Sequence, residues 1–256
     1  MDNEFVRDIS AVEYGDRVTI DNPMDIESCI RMKKTTNARI CVGRAGDRFK
    51  TETLLRFRAD HAVAIDSVWS YVDEAVVDSL EFIKVQTLIE DKEQYITRPD
   101  LGRVFSKETI DYVKNNCINN PEVQIVVADG LSSHAINANL EDIYPIIADG
   151  VEANGYKLGT PIFVKYGRVA TMDKISEALN AKITVLLVGE RPGLATGESM
   201  GCYMAYESST LKPESQRTVI SNIHKNGTPP VEAGAQIVHL IEIMMKEKNS
   251  GVNLKI

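Results

Sequence analysis

The sequence predicts an α/β fold: a mostly parallel sheet flanked by helices, preceded by a mainly helical N-terminal region. Three observations predict it. Apolar runs such as VQIVVA (123–128) and ITVLLV (183–188) show almost no polar alternation, as strands buried on both faces do. Segments of helical period lie between such runs, the alternation that builds parallel sheets. The first hundred residues carry helical spacing instead, and the turn-rich TRPDLGR (97–103) separates them from the rest. The expected division is therefore 1–100, a mainly helical region, and 101–256, the sheet domain.

The elements follow in order. Met24, Ile26, Ile30 and Met32 are spaced for a helix that Asn22 or Asp25 caps. A second helix is expected through Leu54, Leu55, Phe57, His61, Ala62 and Ile65, with turns at Gly43 and Gly46 before it and Trp69 and His61 packed inside. Ahead of both, the spacing of Phe5, Val6, Ile9 and Val12 fits one helix face, and a frayed terminus fits it equally. The strand 123–128 ends at Asp129-Gly130. Ser132 or Ser133 then starts a helix that buries Ala135, Ile136, Leu140, Ile143 and Ile147. GTPIFVKYG (159–167) holds a second strand and TMDKISEALN (171–180) a helix with Ile175, Ala178 and Leu179 on one face. ITVLLV, CYMAY (202–206) and TVISNIH (218–224) are the remaining strands. The terminal helix is expected to take Thr228 as N-cap and Pro229 as its first residue, with His239 packed within it.

Composition narrows the function. The chain has 256 residues, 43% of them apolar and 26% charged, as ordinary globular proteins do. The net charge of -8 argues against a nucleic-acid binder or an anionic membrane surface as partner. Four cysteines (29, 41, 117 and 202) form no C-x-x-C pair, so free thiols in a reducing cytoplasm are expected. Neither a signal peptide nor a membrane span is legible. There is no G-x-G-x-x-G, no G-x-x-x-x-G-K-[ST], no H-E-x-x-H and no G-x-S-x-G. No metal site and no catalytic acid, base or nucleophile is expected. A stand-alone enzyme using a nucleotide would need one of those phosphate loops. Polar residues do gather after the strands: Asp129, YGRV (166–169), Glu190-Arg191, and Asn222 with His224. Several polar strand ends on one rim fit a ligand with scattered polar groups. A plain scaffold protein would not need them.

Long blocks of this sequence carry a family likeness. NARICVGRAG, LLRFRADHA, YITRPDLGR, VQIVVADGLSSHAI, LLVGERPGL and ISNIHKNGTPPVEA, with the closing SGVNLKI, closely resemble the small subunit of ethanolamine ammonia-lyase. The resemblance runs from about Asn37 to the end. It implies a Rossmann-like domain at 101–256 that binds adenosylcobalamin at the interface with a large subunit, residues 1–100 serving as docking region. The complex it implies is a hetero-oligomeric lyase that turns ethanolamine into acetaldehyde and ammonia by radical chemistry. The large subunit would hold the substrate. A bacterial microcompartment in the cytoplasm is the implied location. The alternative is a cobalamin-binding or scaffold subunit of another complex.

Carried over residue by residue, the cofactor positions of the family fall on Val169, Glu190 and Val219, the last where many relatives have Cys. Arg168, Arg191 and Asn222 lie close to these in sequence and are expected polar contacts. The segment Asn222-x-His224-x-x-Gly227 is one residue from the Asp-x-His-x-x-Gly of cobalamin modules in which a histidine ligates cobalt. Asn cannot supply the charge with which that Asp supports the imidazole. His224 is therefore expected to hydrogen-bond backbone or ligand, the cofactor keeping its own base.

Overall fold

A computed structural model describes residues 17–255 of the chain. The helix face expected from Phe5, Val6, Ile9 and Val12 lies outside the described residues. The chain divides into two compact units, one of residues up to 66 with 193–196, the other of 67–192 with residues from 197 on.

In the first unit, α1 (Ile26–Lys34) is capped by Asp25, which accepts the Ser28 N–H at 2.9 Å. It buries none of its own residues. The Gly46 turn, at φ 63°, closes a small hairpin of β1 (Arg44–Ala45) and β2 (Arg48–Phe49) that helical spacing did not foretell. The long α2 (Thr51–Trp69) follows. Asp60, 8% exposed, accepts from Arg39 and Arg56, each at 2.7 Å, and so ties the chain before the hairpin to α2. The expected packing of Trp69 and His61 is corrected: Trp69 is 49% exposed and His61 is on the surface. Both belong to a helix whose Leu54, Leu55, Phe57 and Ile65 are exposed as well.

The second unit is α/β, with a six-stranded mixed sheet. After α3 (Glu74–Ser79), the edge strand β3 (Ile83–Gln86) comes ahead of the turn-rich 97–103 segment. Next are α4 (Lys92–Thr97), a 3-10 turn at Leu101–Arg103, and α5 (Lys107–Asn116). β4 (Val123–Ala128) leads to α6 (Ser133–Ala153), β5 (Ile162–Lys165) to α7 (Thr171–Leu179), and β6 (Ile183–Gly189) to β7 (Met200–Tyr206) and β8 (Thr218–Ile223). α8 (Pro230–Glu247) closes the fold.

Spatial order is β3-β5-β4-β6-β7-β8. The first four strands are parallel, whereas β6–β7 and β7–β8 pair antiparallel. The sheet is thus mixed, with the expected parallel part confined to β3 to β6, and the cause is connectivity. Parallel neighbours need a crossover of a dozen residues or so, usually a helix, and no α-helix lies between β6 and β7 or between β7 and β8.

Side-chain alternation splits the core in two. Val123, Ile125, Val127, Val185, Leu187, Cys202 and Met204 meet α6 and α8 on one face. Val126, Ala128, Leu186, Val188 and Ala205 meet α5 and α7 on the other. The helix residues expected to be buried, Ala135, Ile136, Leu140, Ile143 and Ile147, are fully so. Ser132 is the N-cap of α6 and accepts the Ala135 N–H. Two details of α8 differ from expectation. Pro229 takes the cap position and Pro230 starts the helix, because Thr228 is engaged with the end of β8, its N–H donating to the Asn222 carbonyl at 2.9 Å. His239 is exposed rather than packed, since the buried stripe runs through Ile237, Leu240, Ile241 and Met244.

Candidate functional site

On the α5/α7 face, the helices cover β3 to β6 and Ala205 of β7, and leave the Tyr203–Val219 stretch of β7 and β8 less covered. In register, Val126, Leu186, Tyr203 and Val219 form one row across four strands. The first two are buried under helices, Tyr203 is half-buried and Val219 is 47% exposed. A cavity of about 350 Å³ opens here, lined by Arg103, Arg168, Val169, Ala170, Tyr203, Glu214, Arg217 and Val219.

Five elements bring these residues together. The β5–α7 turn supplies Arg168 and Val169. It winds straight into α7 because the Arg168 carbonyl accepts both the N–H and the hydroxyl of Thr171, at 2.9 and 2.8 Å. The 3-10 turn supplies Arg103, exposed and, among the described residues, in no ion pair. The segment before β8 supplies Arg217, whose Nη2 donates to Asp173 of α7 at 2.7 Å and whose Nη1 lies 3.2 Å from Glu214. Asp173 is 4% exposed and also accepts the Ser208 hydroxyl at 2.6 Å, so Arg217 is clamped. The strands themselves supply Tyr203 and Val219.

Glu190, one residue beyond β6, flanks this cavity. Its carboxylate accepts the Ser199 hydroxyl at 2.6 Å. It leans over Gly201, where a Cβ would stand 2.9 Å from Glu190 Oε1 and 3.2 Å from the Tyr203 ring. Burial, and then the Glu190 charge, push the Tyr203 hydroxyl above its ordinary pKa, so it stays protonated.

Of the expected site residues, Arg168, Val169 and Val219 therefore line one cavity, with Glu190 beside it. Val219 is not at a strand's carboxyl end; it is the second residue of β8 and reaches the cavity through the sheet face. Arg191 is exposed and outside the lining. Asn222, at φ 61°, serves the β8–α8 turn: its side-chain oxygen accepts from His224 Nε2 at 2.9 Å. His224 Nδ1 accepts the Asn226 N–H at 3.3 Å, so both ring nitrogens are engaged. Among the described residues no group of His, Cys, Asp or Glu has the arrangement of a metal site. Tyr203, Arg103 and Arg217 were not singled out from the sequence. Nothing in the sequence marks Tyr203, because its place opposite Val219 is set by the register of β7 on β8.

Chemically, the cavity offers three guanidinium groups against one carboxylate, Glu214, over an apolar floor. The Nε atoms of Arg168 and Arg217 are buried and, among the described residues, donate to nothing. The set fits a large ligand carrying carbonyl acceptors and an anionic group. The volume is near the low end of the ~300–1,000 Å³ typical of complete small-molecule sites, as one wall of a shared site would be.

The comparisons with known proteins agree on one family. The profile of the ethanolamine ammonia-lyase light chain (EutC) matches residues 27–255. An ethanolamine ammonia-lyase small subunit from Clostridium acetobutylicum is 69% identical over 230 residues, 90% of this chain and 95% of the relative. Those of Clostridium perfringens and Listeria monocytogenes are 53% identical over 253 residues and 52% over 250, covering 99% and 98% of this chain and 86% and 85% of theirs. With one profile spanning nearly all the described residues and full-length relatives above half identity, the chain belongs to the ethanolamine ammonia-lyase light-chain family.

Proposed function

We propose that this chain holds adenosylcobalamin against a large subunit, using the open part of the β7–β8 face at Tyr203 and Val219 and its arginine rim. The observation that carries the reading is the cavity that gathers Arg168, Val169 and Val219 with Arg103 and Arg217. Arg168, Arg217 and Arg103 would donate to amide carbonyls and to the phosphate of the nucleotide tail. Glu190 would accept from corrin amides, its orientation set by Ser199 and by the space over Gly201. Val219 and Tyr203 would give the flat ligand an apolar floor. When bound, the cofactor supplies the radical chemistry by which ethanolamine becomes acetaldehyde and ammonia. This chain's task is to bind, orient and exclude water.

The sheet unit is read as Rossmann-like and cobalamin-binding from about residue 101 onward. Residues 1–100 are read as the docking region. The support is α2, which exposes Leu54, Leu55, Phe57, Ile65 and Trp69, and α1, which buries nothing of its own. Apolar exposure of this extent marks an interface. Arg39 of the RICVGRAG segment is spent internally on Asp60, so apolar contact rather than that arginine would drive docking. Among the described residues no helix is long and apolar enough to cross a membrane. The reading places the hetero-oligomer in the cytoplasm, inside a bacterial microcompartment, by kinship alone.

The test is the purified complex with its large subunit, titrated with cyanocobalamin and assayed for acetaldehyde. Glu190→Ala is expected to weaken cobalamin binding by about tenfold, ~1.4 kcal/mol, with the complex intact. Unchanged affinity would remove Glu190 from the site. Loss of acetaldehyde release on omitting the cofactor or either subunit is the accompanying expectation.

A further inference from the structure

In open α/β sheets a crevice forms at the carboxyl ends of two neighbouring strands whose connections leave to opposite faces, and ligands ordinarily bind there. Here those strands are β4 and β5: α6 packs on one face and α7 on the other. The chain itself fills the crevice between these strand ends, with a cavity of about 300 Å³ left beside it toward β3, lined among others by Tyr71, Asp129 and Lys165. Lys92 and Tyr95 of α4 sit in it at 3% and 0% exposure. Asp129, 2% exposed at the end of β4, reaches across and accepts the N–H groups of Tyr166 at 2.9 Å and Gly167 at 3.0 Å. Lys92 Nζ stands 3.9 Å from Asp129 and 5.3, 5.5 and 5.8 Å from the ring centres of Tyr71, Tyr95 and Tyr166. Among the described residues it makes no hydrogen bond. Burial lowers the Lys92 pKa and raises that of Asp129; each partner's charge opposes that drift in the other.

Every arm of this assembly ends on one segment, Tyr166-Gly167-Arg168. The Tyr95 hydroxyl donates to the Gly167 carbonyl at 3.0 Å. The Tyr95 carbonyl accepts from Arg168 Nη2 at 2.7 Å, and the guanidinium lies 4.1 Å from the Tyr95 ring centre. The Arg168 N–H donates to the Gly102 carbonyl at 2.9 Å. Tyr166 is at φ 58°, a left-handed conformation that a bulky residue adopts only when its surroundings compel it.

We propose that the Lys92–Asp129–Tyr95 plug is a positioning device: it occupies the crevice other α/β proteins leave for a ligand, and thereby fixes Arg168 and Val169 for the cofactor. This rests on the cofactor reading of the neighbouring cavity. Lys92, Asp129 and Tyr95 touch no ligand; they act through Arg168.

The test is a set of cyanocobalamin titrations of the assembled complex, followed by absorbance, beside KM for adenosylcobalamin and kcat. Tyr95→Phe keeps the ring and removes only the bond to Gly167. It is expected to weaken binding by about threefold to fivefold, with kcat at saturating cofactor unchanged. Arg168→Ala is expected to cost about tenfold. Because Tyr95 acts through Arg168, the double variant should bind no more than about twofold worse than Arg168→Ala, the non-additivity of residues in one network. Lys92→Met should weaken binding by about tenfold; if it does not assemble, Tyr95→Phe and the double variant decide. Arg168→Ala weakening while Tyr95→Phe does nothing, or the two effects multiplying, overturns the positioning role alone. No change in Arg168→Ala and in Glu190→Ala overturns the cofactor reading and the positioning role with it.

Discussion

Val219 shows how one side chain samples both the fold and the site. It is 47% exposed on the edge strand β8, opposite the half-buried Tyr203 of β7. Its substitution therefore tests the site with little effect on packing. Val219→Arg adds a fourth cation beside Arg103, Arg168 and Arg217 and fills the apolar floor. The expected outcome is cobalamin binding weakened by about tenfold or more with an unchanged melting temperature, since exposed substitutions alter stability by roughly 0.5 kcal/mol or less. Val219→Cys, similar in size, should stay within about twofold of the parent; a larger gain would mean that sulfur itself contributes. The same titration and a thermal melt check both. Gly201 is informative in the opposite way. It has an ordinary φ, and its missing side chain is explained by Glu190 and Tyr203, which a Cβ would crowd. Part of the site is thus written as an absence of atoms in a neighbouring strand.

At the scale of elements, α6 carries the centre of one core layer, and its first turn is secured by Ser132. That hydroxyl accepts the Ala135 N–H and donates to the Gly197 carbonyl, and the residue is fully buried. Ser132→Ala removes both contacts. Losses at N-caps run ~0.5–2 kcal/mol, and the orphaned Gly197 carbonyl puts this one at the upper end. Denaturant unfolding should show a stability loss of about 1–2 kcal/mol with cobalamin affinity preserved, because α6 lies on the face opposite the site. α7 works differently: its Asp173 clamps Arg217 and its first turn grows from Arg168, so the helix start and the arginine rim are one construction. The helices most visible in the sequence, α2 and α8, do not build this cavity.

For the whole molecule, the question is what covers α2. Leu54, Leu55, Phe57, Ile65 and Trp69 are 38–49% exposed, a face that water does not favour and that a large partner would cover. Leu55→Asp and Phe57→Asp together should cut recovery of the large subunit in co-purification by more than about tenfold, while circular dichroism of the chain stays unchanged. Full recovery would move the docking surface elsewhere. The net charge of -8 sits on a molecule whose cavity is locally cationic, so bulk charge gave no hint of the site's polarity.

Much of this was legible in the residues. The 123–128 strand, the buried stripe of α6 and the Asp25 cap follow from period and capping chemistry, which act over a few residues. The polar strand ends Glu190 and Arg168 were visible because loops after buried strands are short and their residue types are explicit, whereas Val169 was legible only through the family resemblance. Family kinship was legible in the long blocks of matching residues. Tertiary structure alone decided the rest. It turned β7 and β8 antiparallel, laid Tyr203 beside Val219, brought Arg103 and Arg217 to one cavity, left His61 and His239 on the surface, and drove Lys92 into the switch-point crevice. The physical reason is range. Periodicity records which face of an element is buried, but which elements meet, and which charge is driven into a core, depends on contacts between residues dozens to more than a hundred positions apart.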